Sequence, residues 1–159
     1  MSAPDFAVPI DQRYFEDYVV GSTYEYGTAT VDLREAVAFA EQFDPQPIHI
    51  DPVAAAQGPF GGLIASGWHT AALMMRLFVD HYLSSVASLA SPGIDELRWI
   101  KPVRPGDTLR IRVTVTEARR SRSKPDRGLV RTLIAVLNQR GETVLTMNAM
   151  NLLRCRQAG

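Results

Sequence analysis

The spacing of apolar residues along the chain changes more than once, and each change marks an element. Residues 22–31, STYEYGTATV, are rich in β-branched and aromatic side chains and predict a strand, interrupted at Gly27. Leu33, Ala36, Val37, Ala40 and Phe43 then recur at helical spacing. Asp32 precedes this run and Glu35 follows it by three positions, the pattern of a capping box with Asp as the cap. Pro45 disfavours helical geometry at Asp44, so the helix is predicted to end near Phe43. Residues 51–57, DPVAAAQ, predict a short helix with Asp51 as N-cap and Pro52 at the first helical position. Residues 58–62, GPFGG, read as a flexible turn. In residues 63–83 apolar side chains face almost every direction, which predicts a helix buried on most sides, with Gly67 near its N-terminal end.

The second half alternates apolar with polar over long runs. Strands are predicted at about 94–99, 108–119, 129–138 and 143–153. Turn chemistry separates them at Pro105-Gly106-Asp107, at residues 124–128 and at Gln139-Arg140-Gly141, the last two linking neighbouring antiparallel strands. Residues 1–12, with Pro4 and Pro9, read as an irregular arm. One long apolar helix followed by a long antiparallel meander implies an α+β domain in which the sheet wraps the helix. Residues 1–159 are expected to form a single domain.

Composition narrows the function classes. The 159 residues include 17 basic and 17 acidic side chains, a formal charge of zero, which argues against a general nucleic-acid binder or a binder of anionic membranes. Cys155 is the single cysteine, so neither an internal disulfide nor a thiolate metal cage is available. The first residues lack a basic start followed by an apolar run, and His69, Arg76 and Asp80 interrupt the longest apolar stretches. Neither a secretory signal nor a membrane span is therefore expected, and the expected setting is cytoplasmic. A phosphate-binding glycine loop, a His-rich metal pattern and a GxSxG elbow are also missing.

The segment QFDPQPIHID carries Asp44 and His49 five positions apart, with Pro45, Pro47 and Pro52 predicted to hold a non-helical path. A carboxylate and an imidazole are the usual general acid/base groups. Read from residues alone, Asp44 also fits a helix terminator and His49 a packed loop histidine. His69, with Arg76 and Asp80 on later turns, fits a polar stripe at an exposed edge or subunit contact, with a catalytic role as the alternative. Met74 and Met75 are expected in the core. Two basic clusters stand out: Arg119, Arg120, Arg122, Lys124 and Arg127 at a hairpin tip, and Arg98, Lys101 and Arg104. Each is either a solvated surface or an attractor for a phosphorylated ligand.

FDPQPIHID, followed by PFGGLIASGWHTAALMMRL, resembles the MaoC-like acyl dehydratases, the (R)-specific enoyl-CoA hydratase group of hot-dog fold proteins. The similarity runs from about Tyr14 to Leu153. Asp44, Pro47 and His49 match the family signature, Gln46 stands where Asn is commoner, and Ser66 where His is common. The resemblance implies a hot-dog fold and a hydro-lyase of fatty acid metabolism that adds water reversibly to trans-2-enoyl-CoA to give (3R)-hydroxyacyl-CoA. It implies Asp44 and His49 as catalytic residues that share the water. Gly67, with Ser66 alongside, would form the oxyanion and substrate-binding site. It implies no cofactor, coenzyme A being part of the substrate, with acyl-carrier protein as a second thioester carrier. A homodimer or higher assembly is expected, because a sheet around one helix leaves an edge strand to cover. The alternatives are a hot-dog acyl-CoA thioesterase and a non-catalytic acyl-thioester-binding subunit. Residues 63–79 hold no Asp or Glu, which counts against the thioesterase. Trp68, Phe60, Ala71 and Ala72 are candidate shapers of an acyl tunnel.

Overall fold

A computed structural model describes residues 4–157. After an arm without helix or strand and a 3-10 turn, Phe15–Asp17, the elements run β1 (Thr23–Thr30), α1 (Leu33–Phe43), α2 (Pro47–Ile50), α3 (Pro52–Gln57), α4 (Gly67–His81), β2 (Ser88–Trp99), β3 (Thr108–Arg120), β4 (Arg127–Leu137) and β5 (Thr143–Arg154). The strands form one antiparallel sheet in the order β1-β3-β4-β5-β2. The meander β3-β4-β5 follows from the two predicted turns, whereas the chain crosses from β1 to β3 and from β2 to β5 by non-local pairing. The register of β1 on β3 shifts between Gly27 and Ala29, at the predicted interruption.

Alternation sets the core. Leu109, Ile111, Val113 and Val115 of β3, Val130, Ile134 and Val136 of β4 and Leu145, Met147 and Leu153 of β5 are all buried on the face towards α4. Met74, Leu77 and Phe78 of α4 and Tyr82 just beyond it complete the cluster. The α1 cap forms as predicted: Asp32 accepts from the Glu35 N–H at 3.0 Å. Asp51 caps α3 by accepting from Val53 and Ala54.

The structure corrects four expectations. The long helix begins at Gly67, because the Ile64 and Ala65 N–H groups are held by the Ile48 and Val103 carbonyls and Ser66 is the N-cap. The helix is buried along one side only: α4 lies over β1 and β3, and Trp68, Met75 and Val79 are exposed, Met75 against expectation. β2 starts six residues earlier than the expected 94, its first half hidden in the sequence by Ser, Ala, Pro and Gly. Pro92 fits there because β2 is an edge strand whose register breaks between Ala90 and Gly93. The predicted non-helical path around His49 contains one helical turn, Pro47–Ile50, since proline at the first helical position starts a helix rather than stopping it.

Candidate active site

Three elements deliver the side chains. Asp44 is the C-cap of α1, with φ −153° and ψ 64° that turn the chain off the helix axis. Three residues on, α2 begins, and its single turn carries His49 back towards Asp44; the His49 N–H donates to Gln46 O at 2.8 Å. The N-terminus of α4 brings Ser66 and Gly67 to the same point.

Both Asp44 oxygens are held. Gln46 Nε2 donates to Oδ1 at 2.7 Å, and Ser66 Oγ donates to Oδ2 at 2.7 Å. His49 Nε2 stands 3.3 Å from the same Oδ2. The Gln46 and Ser66 hydrogen bonds, in that order, hold the Asp44 carboxyl below its ordinary range against an upward push from burial; the smallest contribution, a downward one, comes from His49 when it is protonated. Ser66 is fully buried and its hydroxyl has one proton, which Asp44 takes; the oxygen also accepts from the Trp68 N–H at 3.3 Å. The Ser66 hydroxyl therefore acts on the carboxylate and has no proton left for a second acceptor.

The other ring nitrogen fixes the histidine. His49 Nδ1 lies 2.7 Å from the Ile64 carbonyl, an oxygen that only accepts, so Nδ1 carries the proton. In the neutral imidazole Nε2 then presents its lone pair beside Asp44.

Gly67 opens α4. The Trp68 N–H bonds to Ser66 Oγ, and the His69 and Thr70 N–H groups to Ser66 O, which leaves the Gly67 N–H with no acceptor among the described residues. It stands at the positive end of the helix dipole. The glycine is required for packing: a Cβ at position 67 would lie 2.4 Å from Trp99 Nε1. Asp44, His49, Gly67, Trp68 and Trp99 share a cleft of about 390 Å³, whose remaining walls are mainly apolar and include Phe60 and Ile64. Trp68 and Phe60 thus lie on the cleft, as expected of tunnel-shaping residues, and Ala71 and Ala72 do not.

Trp99 was not a candidate in the sequence. It reaches Gly67 from a strand 32 residues away, and no local pattern signals the contact. His69 is buried against Phe39, ring centroids 5.1 Å apart, rather than exposed on a polar stripe. Burial lowers its pKa, against the charge of Glu35. Its helix turns it inward, while Arg76 and Asp80 pair at 2.9 Å on the exposed side. The hairpin-tip cluster lies at the far end of the strands. Gly128 pairs with Leu153 and Leu153 with Ser88, while Trp99 closes the other end of the twelve-residue β2. At about 3.3 Å per residue that separates the tip from its own cleft by roughly 35 Å. In the second cluster, Lys101 lines the cleft and pairs with Glu142, and Arg104 donates to Phe60 O at 2.6 Å. Among the described residues no three His, Cys, Asp or Glu side chains gather as a metal site, and no helix is long and apolar enough to cross a membrane.

The family model for the MaoC like domain matches residues 17–136. The chain belongs to this family. It is 41% identical to the MaoC-like dehydratase of Rhodospirillum rubrum, whose crystal structure superposes with a TM-score of 0.84 over 91% of this chain and 99% of that one. The unliganded R-hydratase PhaJ1 of Pseudomonas aeruginosa is 27% identical, with a TM-score of 0.69 over 91% of this chain and 86% of that one. The 3-hydroxybutyryl-CoA dehydratase of Methylorubrum extorquens is 36% identical over 109 residues, which are 65% of this chain and 64% of that protein. The chain spans 87% of the Bacillus subtilis protein YdeM and smaller shares of some other curated relatives, 30% of the Klebsiella aerogenes protein MaoC among them. The fold is the hot-dog fold, shared with a double hot-dog protein of Mycobacterium tuberculosis at 18% identity and a TM-score of 0.78 over 96% of this chain and 48% of that one. Hydratase and dehydratase relatives surround the chain.

Proposed function

We propose that this MaoC-like protein is a hydro-lyase that adds water reversibly to trans-2-enoyl-CoA. The observation that carries the reading is the convergence on one cleft of a bound carboxylate, an imidazole lone pair and an unpaired helix N–H. A water held between Asp44 Oδ2 and His49 Nε2 attacks C3 and gives its proton to Nε2. The Asp44 carboxylate stabilises the imidazolium that forms. Negative charge moves to the thioester oxygen, where the Gly67 N–H receives it. The imidazolium then returns the proton to C2. One group takes and gives the proton, so hydrogen and hydroxyl add to the same face. The (3R) product follows the configuration in the name of the R-hydratase relative. Asp44, kept ionised by Gln46 and Ser66, binds and orients the water, and Ser66 positions Asp44.

The site works in a homodimer. Among the described residues β2 has no second neighbour in the sheet. Ile94 of β2 and Met75 and Val79 of α4 are exposed apolar residues that a second copy, extending the sheet across β2, would help to cover. The protein acts in the cytoplasm without a cofactor.

The test is loss of the conjugated enoyl-thioester absorbance with trans-2-enoyl-CoAs of increasing length, and with the same acyl groups on acyl-carrier protein. Wild type is expected to consume at least one member, and Asp44→Asn to lose roughly 10²–10⁴-fold in rate while keeping its fold. Full activity in Asp44→Asn, or thiol release from saturated acyl-CoA without hydration, overturns the reading. The second outcome identifies a thioesterase. Binding without either reaction identifies a non-catalytic acyl-thioester subunit.

A further inference from the structure

The most unusual contact in the cleft is between Gly67 and Trp99. The indole stands where the side chain of residue 67 would be, with Nε1, Cε2 and Cδ1 at 2.4, 2.5 and 2.8 Å from the position of a Cβ. Trp99 is the last residue of the edge strand, and nearly half of it is exposed. Its ring meets Trp68 edge to face, centroids 5.0 Å apart at 79°. Trp68 is itself more than half exposed. Two large apolar side chains are thus held together at the cleft rather than in the core. One of them rests on the residue whose N–H would receive the thioester oxygen.

Building on the hydratase reading, we propose that Trp99 is a specificity-determining residue, the wall that restricts this cleft to short acyl groups, with the bare Cα of Gly67 as its seat and Trp68 as its brace. Size supports it. At about 390 Å³ the cleft lies near the lower end of the range for small-molecule sites. The indole, seated on Gly67, forms one of its walls. A chain longer than four carbons would need room that removal of the indole would add.

The experiment compares kcat/KM for trans-2-enoyl-CoAs of four to ten carbons in wild type, Trp99→Ala, Trp99→Phe and Trp68→Ala, with assembly mass measured by sedimentation. Wild type is expected to prefer four carbons. Trp99→Ala is expected to raise the eight-carbon over four-carbon ratio at least tenfold, within the range that a few methylenes command in an apolar pocket. The change should be carried mainly by KM. Trp99→Phe and Trp68→Ala shift the same ratio less. A ratio within twofold of wild type in the Trp99 variants overturns the proposal. If it comes with altered mass, Trp99 is assigned to the subunit contact instead. Should Trp99→Ala fail to fold, Trp99→Phe carries the same comparison. A wild type that hydrates no member fails the hydratase reading, not the wall. The wall is then tested by binding: octanoyl-CoA must gain on butyryl-CoA in Trp99→Ala, and equal affinities in both proteins overturn it.

Discussion

At the C-terminal end of α4, the Arg13 guanidinium donates to the carbonyls of His81 and Tyr82 at 2.6 and 2.9 Å and to Val8 O at 2.7 Å. Tyr18 donates to Tyr82 O, and Ser84 closes the network on Arg13 O and Tyr18. A cation caps the negative helix end there, and the ring of Phe6 lies 3.7 Å beneath it. At the N-terminal end the Gly67 N–H has no acceptor among the described residues and faces a cleft. One helix thus has one end saturated by its own chain and the other left open. Polar burial is common to both ends and says nothing of function. What separates them is the unmet donor, together with a histidine lone pair that no neighbouring donor satisfies.

Exchanging the two kinds of damage gives the largest effects. Asp44→Asn is expected to remove roughly 10²–10⁴-fold of rate and leave the denaturation midpoint close to wild type. Arg13→Met is expected to do the reverse. It strands the Val8 and His81 carbonyls, takes one of two donors from Tyr82 O, and costs about 2–4 kcal/mol in stability, while the folded fraction turns over at the wild-type rate. Urea titrations beside enoyl-thioester assays separate the two. If Arg13→Met lowered kcat without lowering stability, the division between the ends would fail.

Gly67→Ala comes next, because it acts on both properties at the open end. The new methyl meets the Trp99 indole at a distance no Cβ contact tolerates, so the ring must leave its seat. Overpacking of this kind costs about 1–3 kcal/mol. Activity is expected to fall with it while the Asp44–His49 arrangement survives. A variant as stable and active as wild type would show that the indole has another place to go.

What could be read in the sequence was local. Asp32 and Asp51 as caps, the two hairpins, and the Asp44–His49 pair each lie within a few residues, and their spacing carries the signal. The bond from Ser66 to Asp44 spans 22 residues, Trp99 on Gly67 spans 32, and Arg13 on His81 spans 68. Nothing in the local pattern encodes those. The helix beginning was misplaced for the same reason: Leu63 to Ser66 have helix-compatible side chains, but the carbonyls of Ile48 and Val103 hold that stretch out of the helix. Half of β2 was hidden because an edge strand does not need an alternating apolar pattern.

A smaller effect tests whether Gln46 belongs to the site. Its amide is the leading reason that the Asp44 carboxyl sits below its usual range. A depressed carboxylate pKa adds stability at pH above the unfolded value, near 4, and loses it as pH falls through the folded value. Gln46→Leu removes that donor, so the Asp44 pKa rises towards the ordinary range. The acid limb of the rate profile should move to higher pH, with little change at neutral pH. An unmoved limb would mean that Asp44 does not set it.

The smallest expected effect concerns His69, which lies in the first turn of α4 but does not line the cleft. It is only 7% exposed, packs on Phe39, and its Nε2 has no hydrogen-bond partner among the described residues. Burial holds its pKa below the ordinary 6.5, and Glu35 offsets this only in part. The unfolded chain therefore takes up a proton near pH 6.5 that the folded chain refuses until lower pH. The sign follows: stability is full above about pH 6.5 and declines as pH falls from there to the folded value, by at most about 1.4 kcal/mol per pH unit. His69→Phe removes the proton and keeps a ring against Phe39. Urea midpoints at pH 7.5 and 5.5 are expected to converge in this variant relative to wild type, with hydration at pH 7.5 unchanged. A large loss of hydration would instead bring His69 into the site, and the first turn of α4 would have to be divided differently.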